Sequence, residues 1–150
     1  MKILAFDPAE KFGWAIGDKD SNQHGMWDFK LKRDENFAFK LIRFKEKLTT
    51  MYNAEKPDFI VYERVSGINS AAIASHSKFV AIIEVFCTEN DIPFKGYSAT
   101  EIKKHATGKG NAKKQDMLKV AIRKYGYRGA DDNVADAICL LKFAIEDNEI

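Results

Sequence analysis

At 150 residues and 45% hydrophobic, the chain is long enough to bury one core and too short for two, so a single domain spanning 1–150 is expected. The net charge of +2 hides a segregation: Lys103 to Arg128 carries nine basic residues against one acid, Asp116, and the stretch from Asp131 onward carries six acids against Lys142. Two cysteines, Cys87 and Cys139, set in apolar helical patterns, suggest neither a disulfide framework nor a zinc site, and neither a signal core nor a membrane-length apolar run is read, so a cytoplasmic protein without membrane contact is expected.

In chain order, "KILAFD" is a short apolar run closed by an acid and a proline, the pattern of a buried strand and a turn. "FGWAIGD" and "HGMWDFKL" alternate around the polar turn "KDSNQ" and predict two more strands in an antiparallel meander. Phe37, Leu41, Phe44, Leu48 and Met51 predict an amphipathic helix over 35–53. "DFIVYE" repeats the opening pattern after a helix and predicts a parallel strand. A helix over 70–90 follows, with Phe79, Ile82, Ile83 and Phe86 on one face, then the strand "IPFKGY".

"SATEIKKHA" predicts a helix whose capping box joins Ser98 and Glu101. "TGKGN" ends it with a tight, glycine-permitted turn exposing backbone N–H groups, and the next helix, over 112–125, carries Leu118, Ala121, Ile122 and Tyr125. The last helix begins near Asp131 and is apolar from Ala137 onward. The order predicts an α/β fold with a mixed five-stranded sheet, a three-stranded antiparallel meander plus parallel strands, flanked by helices.

Asp7 and Glu63 each end an apolar strand, at the sheet edge where α/β folds place their sites. Asp132 and Asp136 are four apart and share a helix face, so four carboxylates converge if that helix crosses the sheet edge. Like charges that close raise one another's pKa, and a cation relieves them. Oxygen ligands alone select Mg²⁺ or Mn²⁺, and two such ions about 3.5–4 Å apart support phosphodiester hydrolysis. Each acid also has a structural reading: Asp-Pro starts turns, Glu63 can pair with Arg64 on the surface, and Asp131 suits a helix cap.

With these residues in place the sequence resembles the RuvC-like Holliday junction resolvases of the ribonuclease H-like nuclease superfamily, their short phage-type versions most closely. The resemblance rests on four motifs in family order: "AFDPAEKFGWAI", "IVYERV", "EIKKHATGKGNAKKQDML" and "DDNVADAICL". It implies catalytic, metal-binding roles for Asp7, Glu63 and Asp136. Relatives place the fourth ligand three to five residues before the last Asp, and helical geometry favours Asp132 over Asp131 and Asn133. Lys114 and Lys103 match basic positions near the scissile phosphate, with Lys104, Lys109 and Lys113 tracking the DNA backbone.

The implied function is a Mg²⁺-dependent endonuclease with two ions per site. It would resolve four-way junctions and other branched DNA by paired nicks leaving 5′-phosphate and 3′-hydroxyl ends. It would act as a homodimer, in the host cytoplasm if phage-encoded. The dimer face is expected on the 70–90 helix, at Ala71, Ala72, Ile73, Val80 and Val85. A flap or replication-intermediate nuclease and a non-catalytic DNA-structure binder are the rival readings. Two departures from cellular relatives stand out: Phe12 replaces a hydroxyl before Gly13, and Ser66 replaces an aromatic that relatives insert at the junction.

Overall fold

The apolar opening stretch forms β1 (Ile3–Asp7). In the computed structural model, which describes residues 1–68 and 70–148, β1 is the middle strand of a sheet in the order β3-β2-β1-β4-β5. β2 (Lys11–Gly17) and β3 (Asn22–Asp28) complete the antiparallel meander, and β4 (Phe59–Glu63) and β5 (Phe94–Tyr97) lie parallel to β1. The expected mixed sheet is therefore the one formed.

Strand parity divides the core in two, because successive side chains point to opposite faces. Ile3, Ala5, Ala15, Phe59, Val61 and Tyr97 face a layer made by α3 (Ala99–Thr107), α4 (Lys114–Tyr125) and α5 (Asp132–Asp147). Leu4, Phe6, Phe12, Ile16, Ile60 and Tyr62 face α1 (Ala38–Glu55) and α2 (Ser70–Glu89). Phe12 stacks on Phe44 at 4.5 Å between ring centroids and meets Phe6 and Phe79 edge-on. It is a core residue, and the turn after Asp7 is anchored by it.

Several helix expectations are corrected. α1 starts at Ala38 and α4 at Lys114, each later than the apolar periodicity indicated; before α4 the chain is still extended at its N-cap, Lys113. In α4 the side chains inserted into the core are Met117 and Ala121, whereas Ile122 is exposed. In α2, Val80 joins Phe79, Ile83, Phe86 and Cys87 in the core and is not available to a partner; Val85 remains exposed. By length and composition alone α2 is apolar enough to cross a membrane, and its buried side, Phe79, Val80, Ile83, Phe86 and Cys87, packs on the sheet. Both cysteines are buried and free, and burial pushes their thiols up to about 12.

Candidate active site

Parity aims the two strand-end acids. Asp7 follows Ile3 and Ala5 on the face covered by α5, and Glu63 follows Phe59 and Val61 on the same face. Phe6 pairs with Tyr62 across the parallel β1–β4 ladder, so Asp7 and Glu63 come level at the C-terminal edge of neighbouring strands. The main chain at Glu63 is held from below: His76 of α2 hydrogen-bonds its carbonyl oxygen through Nε2 at 2.8 Å. His76 was not among the residues singled out in the sequence, because no local pattern links it to a strand 13 residues earlier.

α5 supplies the other two acids. Asp131 is its N-cap, accepting from the Val134 N–H at 3.0 Å, while its own N–H donates to the Tyr127 hydroxyl at 3.1 Å. That fixes the first turn, which carries Asp132, and leaves Asp136 stacked one turn further on the same face. The helix reaches the sheet edge because Gly13, the ladder partner of Asp7, has no side chain. A β-carbon there would lie 2.1 Å from the Asn133 carbonyl oxygen.

The four carboxylates act on one another. Burial first, then Asp136, Glu63 and Asp132, raise the Asp7 carboxyl well above the usual range, with Lys114 opposing. Burial, Glu63 and Asp132 push Asp136 up to about 7, opposed by Lys114 and Lys103. Burial raises Glu63, opposed by His76 and Lys103. Asp7, Glu63, Lys103 and Asp136 line one small cleft. Lys114 Nζ stands 3.5 Å from Asp132 Oδ2 at its rim. A lysine in a helix's first turn opposes the macrodipole, so its placement serves the carboxylates and not the helix.

The structure therefore brings together Asp7, Glu63, Asp132, Asp136, Lys103 and Lys114. Lys104, Lys109 and Lys113 are exposed on the α3–α4 segment outside the cleft. The glycine turn is also read differently. The Gly108 N–H is bonded to the Lys104 carbonyl at 2.8 Å as the α3 C-cap, at φ +86°, and so is not free for phosphate. Gly110 packs on Thr100. Only half of the expected capping box forms among the described residues: Ser98 Oγ accepts from the Glu101 N–H at 3.1 Å, but the Glu101 carboxylate pairs with Arg64. Ser66 is exposed in the loop after β4, beside the fully exposed Ile68.

The donor set suits a hard divalent cation, since every candidate ligand is a carboxylate oxygen and the acids' mutual repulsion is what such a cation removes. Among the described residues no three His, Cys, Asp or Glu side chains close into a ready-made cage.

A mixed sheet in this order, flanked by helices on both faces, is a ribonuclease H-like fold. The family model described as "Crossover junction endodeoxyribonuclease RuvC" matches residues 3–142, and the chain belongs to that family. RuvC of Petrotoga mobilis is 26% identical over 146 residues, 92% of this chain and 89% of its own. RuvC of Xanthomonas campestris pv. campestris is 30% identical over 150 residues, 93% of this chain and 84% of its own. Among solved structures, T. thermophilus RuvC in complex with Holliday junction substrate superposes with a TM-score of 0.80 at 16% identity, covering 98% of this chain and 94% of that one. The Fowlpox virus resolvase complexed with substrate Holliday junction DNA has a TM-score of 0.66 at 16% identity, covering 98% of both chains.

Proposed function

We propose that this chain is a crossover junction endodeoxyribonuclease that resolves four-way DNA junctions by paired nicks, leaving 5′-phosphate and 3′-hydroxyl ends. The observation that carries the reading is the convergence of Asp7, Glu63, Asp132 and Asp136, coupled to one another and flanked by Lys103 and Lys114 at one sheet edge. In this reading Asp7, Glu63, Asp132 and Asp136 would hold two Mg²⁺ ions, for which Mn²⁺ would substitute. When bound, the ions would supply an activated water and charge stabilisation of the leaving oxygen.

The protein's own contribution is positional and electrostatic. α5 and the β1 and β4 ends hold the ligands on rigid elements, Lys114 and Lys103 offset the negative charge of an arriving phosphate, and Lys104, Lys109 and Lys113 extend the basic track along the backbone. A four-way junction has two-fold symmetry and needs two matched cuts, which suits an isologous homodimer. With Val80 in the core, the exposed side of α2 around Val85 is the face left for it.

The test is cleavage of a mobile four-way junction, a flap and a plain duplex, each in Mg²⁺ and in EDTA. Symmetric paired nicks on the junction in Mg²⁺, and none in EDTA, are expected. Equal cutting of flap and junction would make the chain a replication-intermediate nuclease, and binding without cutting would make it a structure-specific binder.

A further inference from the structure

Arg64, the residue after Glu63, is seated more deliberately than a surface arginine needs to be. Its N–H donates to the Tyr97 carbonyl at 2.7 Å, continuing the β4–β5 ladder one residue past the strand end. Its aliphatic stem crosses β5 at Gly96, where a β-carbon would lie 2.5 Å from Arg64 Cγ and 2.9 Å from Tyr62 Cε2. The absence of a side chain at Gly96 is thus what lets the stem run along the sheet rim. At its far end Nη2 stands 3.4 Å from Glu101 Oε1, and both side chains remain half exposed, at 57% and 51%.

That last contact is a poor ion pair. It is long, single-pronged and open to solvent, and pairs of this kind contribute little to stability. A guanidinium offers a fork of donors that matches two phosphate oxygens far better than one distant carboxylate oxygen. Glu101 itself does not depend on Arg64, since it lies in the first turn of α3, where the helix dipole favours an acid. Two residues on is Lys103, whose charge acts on Glu63 and Asp136. Lys103 lines the carboxylate cleft, while Arg64, next in the chain to Glu63, lies just outside that lining, its stem on the Gly96–Tyr62 side of the sheet rim and its head group turned to Glu101 of α3.

We propose that Arg64 is a DNA-phosphate clamp beside the cleavage site, parked on Glu101 in the free protein and transferred to a backbone phosphate next to the scissile one when DNA binds. The proposal rests on the reading of the carboxylate cleft as a DNA-cleaving site. Glu101 acts as the competing anion, so it sets how readily the clamp is released. Because the partner is a phosphate, the contact adds affinity without reading bases.

The test measures binding of a four-way junction in EDTA across a salt series, for the unaltered chain, R64Q, R64K, E101Q and the R64Q/E101Q double variant. R64Q is expected to weaken binding roughly tenfold at low salt, as loss of a charge-assisted contact does. It should also make the dependence of log K on log salt shallower by about 1. R64K should keep the slope and recover only part of the affinity. E101Q should bind more tightly than the unaltered chain, and that gain should shrink in the R64Q background. Identical affinity and slope for R64Q would overturn the clamp, and an E101Q gain undiminished in the double variant would overturn the exchange with Glu101. Failure of the unaltered chain to bind the junction would instead bring down the functional reading, and the clamp with it.

Discussion

Gly13 and Asn133 touch where no side chain could fit: a β-carbon on Gly13 would lie 2.1 Å from the Asn133 carbonyl oxygen. Since Gly13 is paired with Asp7 on the sheet, this approach sets how far the α5 acids stand from the β1 acid. G13A must push the first turn of α5 outward by about 1 Å, a misplacement that can cost about 100-fold in rate. The expected outcome is that loss in junction cleavage with DNA binding kept, together with about 1–3 kcal/mol of destabilisation in denaturant titrations. An unchanged cleavage rate would mean that this contact does not set the ligand spacing.

The acids were legible in the sequence because each obeys a local period. Asp7 and Glu63 keep the two-residue phase of their strands, and Asp132 and Asp136 keep the helical phase, with Asp131 free to cap. What local patterns could not deliver were facts made by tertiary approach. α2 and α4 are apolar on more than one side, so periodicity could not say that Val80 is covered and Ile122 is not. Glu101 satisfied a capping pattern but meets Arg64, 37 residues away in the chain. Gly13 read as part of a motif, and its reason, the passage of a helix over the strand, exists only in the fold.

Asp136 lies inside a helix that is otherwise inserted in the core, so its role separates cleanly from capping. D136N should reduce Mg²⁺-dependent cleavage to background while leaving junction affinity equal or higher, because a ligand and a negative charge facing phosphate are both removed. Circular dichroism would check that the variant is folded. Loss of the fold would assign Asp136 a structural role.

The raised carboxyls also set the direction of a stability change with pH. Asp136 at about 7 and Asp7, also raised, keep protons in the folded state that the unfolded chain releases near the ordinary carboxylate value of about 4. The folded state thus binds more protons across that window, and stability falls as pH rises through it. Asp18, Glu35 and Asp147 are lowered and act the opposite way, but only below that window. In EDTA the melting temperature should fall between about pH 5 and 8, and D136N should flatten the fall. Added Mg²⁺ should raise the melting temperature at pH 8 by binding the folded form. A melting temperature that climbs steadily to pH 8 in EDTA would contradict the coupling.

Two lysines of α4 provide the sharpest contrast, since both belong to the basic stretch and only one meets the acids. Lys114 opens the helix 3.5 Å from Asp132 and lowers the proton affinity of Asp7 and Asp136. Lys124 lies ten residues on, about 15 Å along the axis, with its ammonium over the Tyr125 ring at 5.4 Å. K114A should cut cleavage roughly 100-fold, the scale of losing one charged stabiliser at a reacting phosphate. It should also move the acid limb of the pH–rate profile upward, because the acids lose a cation that held their pKa values down. K124A should leave both the rate and the profile close to those of the unaltered chain. Equal losses from the two variants, with no shift of the acid limb, would reduce Lys114 to one more cation in a general DNA-binding field.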